Sequence, residues 1–204
     1  MKKLFVAASV LLCSFTMAAD GPWFSGKIVY HNAFATLNGQ DITDKLSPLF
    51  GNENLYYISG DNYKAYTEKK QLLELYNGST NKFQIFLNGQ ATTMDAATGT
   101  AGAVVKMLPE KATIAGYACQ SLEIDADGSS TVYYFSPKLR VNPELYSKHL
   151  MGDWATYLKA SKGALPLKFV VINNKQGYKM VSEATSVEAM TLAADEFTVE
   201  APAR

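Results

Sequence analysis

The sequence predicts a mainly β (α+β) protein built on one long antiparallel sheet that must curve to close its core, with one or two helices. Successive alternating apolar runs are joined by short turn-forming clusters, the mark of a β-meander. Tyr and Phe are abundant, 12 and 10 in 204 residues, which suits both strands and an apolar pocket. Helical spacing is confined to short stretches.

Lys2 and Lys3 precede an apolar run from Leu4 to Leu12, and small or polar residues follow to Thr16, Met17 and Ala18. A basic start, an apolar core too short to span a bilayer and small residues at the end make residues 1–18 a cleaved secretory signal. The cut is expected after Ala18 or Ala19, leaving one domain over residues 19–204, outside the cytoplasm. Cys13 offers a rival reading as a lipidation site, but Leu12 stands where a small residue is needed. With Cys13 removed, Cys119 is the one cysteine left, read as a buried thiol.

The first strand runs from Phe24 to His31, where Phe24, Gly26, Ile28 and Tyr30 alternate with Ser25, Lys27, Val29 and His31. A short helix is expected over 43–50, with Leu46, Leu49 and Phe50 inward and Gly51 ending it. Leu55 to Ser59 and Tyr63 to Thr67 flank a Gly60-Asp61-Asn62 turn. Leu72 to Tyr76 pairs with Lys82 to Leu87 across Asn77-Gly78-Ser79, and Asn88-Gly89 marks another tight turn. The small residues from Ala96 to Ala103 predict a mobile loop. Thr113 to Ile124 and Thr131 to Ser136 flank Asp125-Ala126-Asp127-Gly128.

Asn142-Pro143-Glu144 supplies an N-cap, a proline in the first turn and an acid. Tyr146, Leu150, Trp154, Tyr157 and Leu158 then form one helical stripe, which Gly152-Asp153 is expected to split, with Asp153 capping the second half, and Gly163 to end. The stripe reads as core packing or as a lid over a cavity. Leu167 to Asn173 and Tyr178 to Ala189 make the last hairpin.

Loss of Lys2 and Lys3 leaves a net charge of about −2 with no basic patch, so no nucleic-acid partner is expected. No later apolar run is long enough for a transmembrane span after signal cleavage. There is no Gly-x-Ser-x-Gly elbow, His-Glu-x-x-His pair, paired-cysteine site or phosphate loop. His31 and His149 read as packing or surface residues. Asp125-x-Asp127-Gly128 has Ser136 where a calcium loop needs glutamate, and reads as a turn. The expectation is no enzyme, no metal and no cofactor.

Ile114, Gly116, Tyr117 and Cys119, then Gly128, then Val132-Tyr133-Tyr134-Phe135-Ser136 and Leu139, resemble a bacterial exported family of unknown function. Gly163, Leu165-Pro166-Leu167 and Glu196-Phe197, Val199 and Pro202 fit the same pattern. That family is similar to periplasmic lipoprotein carriers of the Lol type. The resemblance implies a strongly curved antiparallel sheet, an open half-barrel with one or two helices plugging its concave face; within its motif Gly116 suits a bend or bulge in a strand. In the carriers that face binds acyl chains.

Such a face is larger than short helices can fill. The leading expectation is therefore an exported, non-catalytic binding protein for a lipid, acyl chain or other apolar small molecule. Candidate liners are Tyr30, Phe34, Tyr57, Tyr66, Phe86, Tyr134, Leu150, Trp154, Leu158 and Phe169. The alternative is a cell-envelope scaffold or interaction module with a fully packed core and no ligand.

Overall fold

The computed structural model describes residues 23–99 and 102–198. The signal segment 1–18, its cleavage near Ala18 or Ala19, Cys13, Val199 and Pro202 lie outside the described residues, as do Thr100 and Ala101 of the expected loop.

Eleven strands form one antiparallel sheet: β1 (Gly26–Thr36), β2 (Glu53–Ser59), β3 (Asn62–Thr67), β4 (Leu72–Asn77), β5 (Lys82–Leu87), β6 (Gln90–Asp95), β7 (Val104–Ile114), β8 (Tyr117–Ala126), β9 (Ser129–Arg140), β10 (Ala164–Asn173) and β11 (Tyr178–Ala189). The first and last strands meet in the middle, from Gly26 opposite Ala189 to Thr36 opposite Tyr178. A meander runs outward on each side, β2 to β6 one way and β10 back to β7 the other. β6 and β7 end the sheet without pairing to each other, leaving an open half-barrel. Register shifts at Val29/Tyr30, Ala65/Tyr66, Leu108/Ala112 and Ala164/Pro166 supply bends, since an extra residue on one strand increases local twist.

The 113–124 run is not one strand. Ala115 and Gly116 (φ +48° and +81°) form a tight turn between β7 and β8, so Gly116 reverses the chain rather than bending a strand. β7 escapes sequence reading because Pro109, Lys106, Glu110 and Lys111 break its alternation. As an edge strand it tolerates a proline beside its irregular pairing.

Helix α1 (Thr43–Phe50) packs against β1. Contrary to expectation, Leu49 and Phe50 remain 40% and 42% exposed and Leu46 is half-buried. The helix sits at the rim of the sheet, where Phe50 meets Phe34 at 5.8 Å but no second layer of described residues covers it.

The segment between β9 and β10 crosses the concave face as a plug. It is two 3₁₀ turns, Pro143–Tyr146 and Met151–Asp153, followed by α2 (Trp154–Ala160). Asn142 Oδ1 accepts from Glu144 N at 3.1 Å, the expected cap. Gly152 and Asp153 break the helix as expected, at φ +61° and +58°. In that left-handed conformation the Asp153 side chain makes no cap bond. The break also turns Leu150 off the stripe: it is 43% exposed, while Tyr146, Tyr157 and Leu158 are fully buried.

Gly163 closes the plug. Its φ is +83°, its N–H donates to Leu158 O at 2.7 Å, and a Cβ there would lie 2.2 Å from Val141 O. A side chain meets both backbone strain and a rigid carbonyl. Gly163→Ala is expected to destabilise by roughly 2 kcal/mol or more, seen as a lower urea midpoint with an unchanged slope.

Candidate ligand-binding cavity

Inward positions on the strands are set by the period of two, and several carry aromatic rings. Tyr30 (β1), Tyr56 (β2), Tyr63 (β3), Trp154 and Tyr157 (α2), Tyr133 (β9) and Phe169 (β10) form a closed circuit of neighbouring rings. Successive centroids are 4.3 to 6.4 Å apart. Offset and edge-on ring pairs of this kind add about 0.5–1.5 kcal/mol each beyond burial. The circuit links the β1–β3 part of the sheet to β9 and β10 through the plug.

Inside it lies a cavity of about 290 Å³. Tyr30, Tyr56, Tyr63, Phe83, Tyr133, Trp154, Phe169, Met151, Val171 and Met180 give it an apolar wall, and Asn32, Asn54, Glu74, His149 and Ser182 are polar. Several hydroxyls near it are already committed. Tyr30 donates to Pro166 O at 2.6 Å, Tyr146 to Gly60 O at 3.0 Å, and Tyr76 to Asn81 Oδ1 at 2.9 Å. Asn32 donates through Nδ2 to Gly51 O at 3.3 Å and to Asn54 Oδ1. Asn32 Oδ1, His149 Nδ1 and Trp154 Nε1 are buried without a partner.

Two titratable groups are strongly perturbed. His149, 2% exposed, lies 4.2 Å from the Tyr76 ring centroid and is stacked on Tyr63 at 5.7 Å, with Nε2 2.6 Å from the Tyr63 hydroxyl oxygen. Burial drives its imidazole down to about 4, so it is neutral at physiological pH. Glu74 on β4 is half-buried, has no ion-pair partner among the described residues, and is pushed by burial up to about 7. The buried phenols of Tyr30, Tyr56 and Tyr63 are raised too, by burial first and by the nearby Glu74 charge.

Of the residues proposed from sequence, the structure brings Tyr30, Trp154 and Phe169 together at the cavity. Tyr57 and Tyr66 lie on the opposite, convex face beside Lys64 Nζ, 5.7 and 5.4 Å from their ring centres. Tyr134 is also on that side, under Lys168 Nζ at 5.9 Å. Phe86 alternates away from the cavity-lining Phe83. Phe34 is buried at the rim under α1, Leu150 is exposed, and Leu158 is packed in the core. Two of these displacements are one-residue choices of face, Tyr56 in place of Tyr57 and Tyr133 in place of Tyr134, and on β5 Phe83, three residues before Phe86, occupies an inward position. Propagating the inward face of Tyr30 through the pairings reaches Tyr56 and Tyr63. For Glu74 the signal is a lone acid in the apolar run Leu72-Leu73-Glu74-Leu75-Tyr76.

Cys119 is buried, and burial pushes its thiol up, as suits a packed rather than reactive cysteine. Among the described residues, no His, Cys, Asp and Glu cluster has the geometry to hold a metal ion, and no helix is long and apolar enough to cross a membrane.

No protein-family model matches the sequence, and no curated relative matches it. Among solved structures the fold is similar to part of PNGF-II, at 18% identity over 85% of this chain, with a TM-score of 0.51. This chain spans 30% of the PNGF-II chain. More distant likenesses are a LolA-superfamily protein from Nitrosomonas europaea (12% identity, 88% of this chain and 92% of that one, TM-score 0.39) and a DUF1329 family protein from Desulfovibrio piger (8%, 85% and 89%, TM-score 0.35). At these identities the likeness is one of fold.

Glu74 and His149 make opposite contributions to pH-dependent stability. Glu74 is raised from 4.5 to about 7, so its contribution is complete below pH 4.5 and is lost as pH rises through 7. His149 is lowered from 6.5 to about 4, so its contribution is present above 6.5 and is lost as pH falls through 4. Each spans roughly 3 kcal/mol, and the slopes largely cancel between pH 4.5 and 6.5. Glu74→Gln is expected to unmask the histidine slope. Urea unfolding should show the variant losing about 2–3 kcal/mol between pH 6.5 and 4.5 relative to the parent.

Proposed function

We propose that this is an exported, non-catalytic binding or carrier protein for a lipid or other apolar ligand. The observation that carries the reading is the 290 Å³ aromatic-walled cavity between sheet and plug. Binding sites for small apolar molecules have this form: a concave, mostly apolar surface with a few placed polar groups. Burial at about 25 cal/mol per Å² makes a few hundred Å² of alkyl surface worth several kcal/mol before ordering costs. The amino-terminal pattern of Lys2, Lys3 and the apolar run supports action outside the cytoplasm.

Ala65 lies in the cavity floor and is 1% exposed. Ala65→Phe fills the space without touching the hydrogen bonds that hold the plug. It is expected to weaken binding of N-phenyl-1-naphthylamine, a neutral apolar dye, by roughly tenfold or more, with a melting temperature within a few degrees of the parent. Binding that survives this substitution would place the dye elsewhere. No binding by the parent would leave the scaffold reading.

A further inference from the structure

A lone carboxyl at an apolar wall asks for a partner, because an uncompensated charge there is costly. Among the described residues Glu74 has none: no Lys or Arg of theirs lines the cavity, and none of their ion pairs involves Glu74. Its placement is specific. Ala65 stands directly opposite both Glu74 on β4 and Tyr56 on β2. The three therefore form one row on the concave face, with the smallest side chain in the middle. Two strand spacings, about 10 Å, separate the backbones of Glu74 and Tyr56. Ala65 makes the floor of a notch whose walls are a carboxyl and a phenol ring, and Tyr63 precedes Ala65 on the same face of β3.

The register shift between Ala65 and Tyr66 skips Leu73, so β4 bulges beside Glu74. Bulges of this kind re-aim a side chain. Elsewhere on the wall of the same cavity Asn32, fully buried, keeps its Oδ1 without a partner among the described residues.

Resting on the apolar-ligand reading above, we propose that the guest is an amphiphilic organic ammonium ion, its nitrogen against the Glu74 carboxylate beside Tyr56 and Tyr63 and its alkyl body along Phe83, Phe169 and Met180. Aromatic faces attract a cation through the ring quadrupole, and a quaternary ammonium suits an aromatic cage because it gives up its weakly held water readily. An anionic head group would meet Glu74 with like charge. A neutral chain would leave the carboxyl unpaired.

The other titratable groups at the wall do not compete near neutrality. Burial keeps Tyr30 (β1), Tyr56 (β2), Tyr63 (β3) and Tyr133 (β9) protonated and His149 on the plug neutral. The β5 residues beside Glu74, Phe83 and Ile85, are apolar. Asp153 on the plug acts on the Tyr133 hydroxyl and is retained in the variant used below.

The test is calorimetric titration of the purified protein and of Glu74→Gln with octyltrimethylammonium, octanol and octanoate. The parent should bind the cation roughly tenfold tighter than octanol, and octanoate weakest. Glu74→Gln should abolish the cation's advantage over octanol. In the parent, cation affinity should fall about tenfold from pH 8 to pH 6 as Glu74 takes up its proton, with no such fall for octanol. This pH arm needs no variant, so it holds even if Glu74→Gln folds poorly. Octanol or octanoate binding as tightly as the cation, or a cation affinity that ignores both pH and the variant, overturns the ammonium inference and leaves the apolar site standing. No binding of any of the three overturns both.

Discussion

The concave face of the half-barrel has to be covered, and the rest of the structure follows from how incompletely that is done. A sheet of eleven strands that does not close presents one broad inward surface, and the segment from Asn142 to Gly163 is the cover available between β9 and β10. It is held at both ends. Toward β3–β5, Tyr146 donates to Gly60 O, His149 sits against Tyr63, Tyr76 and Phe83, and Leu150 and Met151 donate from their backbones to Ala96 O. Toward β9, Tyr157 packs on Tyr133 at 4.3 Å and Phe135 at 6.3 Å. A cover fixed at two edges and thin between them leaves a hollow, and the cavity lies under Met151, Gly152 and Trp154.

The polar chemistry of that hollow divides into groups satisfied inside the fold and groups that are not. The phenols of Tyr30, Tyr146 and Tyr76 are satisfied by backbone carbonyls and an asparagine and act as struts, whereas the Tyr157 hydroxyl is buried without a partner among the described residues. Glu74, Asn32 Oδ1, His149 Nδ1 and Trp154 Nε1 are left over in the part that lines the cavity. Native structures leave few such groups, and each costs stability. Their concentration in one place is the pattern of a site rather than of a defect distributed at random.

How much of this could be read from the chain depends on which physical signal each element gives. Turn chemistry was legible: Gly60-Asp61, Asn88-Gly89 and Asp127-Gly128 reverse the chain where their backbone tolerances require it. The plug was legible at its ends, through Asn142-Pro143 and Gly163, but not in its middle. There Gly152 and Asp153 replace a continuous helix with two short turns, and Leu150 leaves the stripe. β7 was hidden by Pro109 and its charges. The face of each strand was the hardest, because a period of two gives equal standing to both choices when both carry aromatics: Tyr56 or Tyr57, Tyr133 or Tyr134. Pairing partners decide between them, and partners are a property of the fold. Glu74 was missed because an acid on a strand is ordinarily solvated, whereas this one lines the aromatic-walled cavity.

The volume of the cavity limits what the present arrangement accommodates. About 290 Å³, partly open to solvent, suits a small apolar guest such as one alkyl chain. The roof over it is shaped by one strained break. Gly152 and Asp153 hold consecutive left-handed conformations at the break between the 3₁₀ turn and α2, directly over the hollow. For aspartate that conformation is sparsely populated and costs about 1 kcal/mol or more. Hydrogen bonds span the break: Asp153 N donates to Leu150 O at 3.2 Å and Ala155 N to His149 O at 2.9 Å, while Met151 N is held by Ala96 O at 3.1 Å. The strained pair is thereby fixed in place, and it shapes the roof of the hollow between the two anchors, His149 with Tyr63 and Tyr157 with Tyr133.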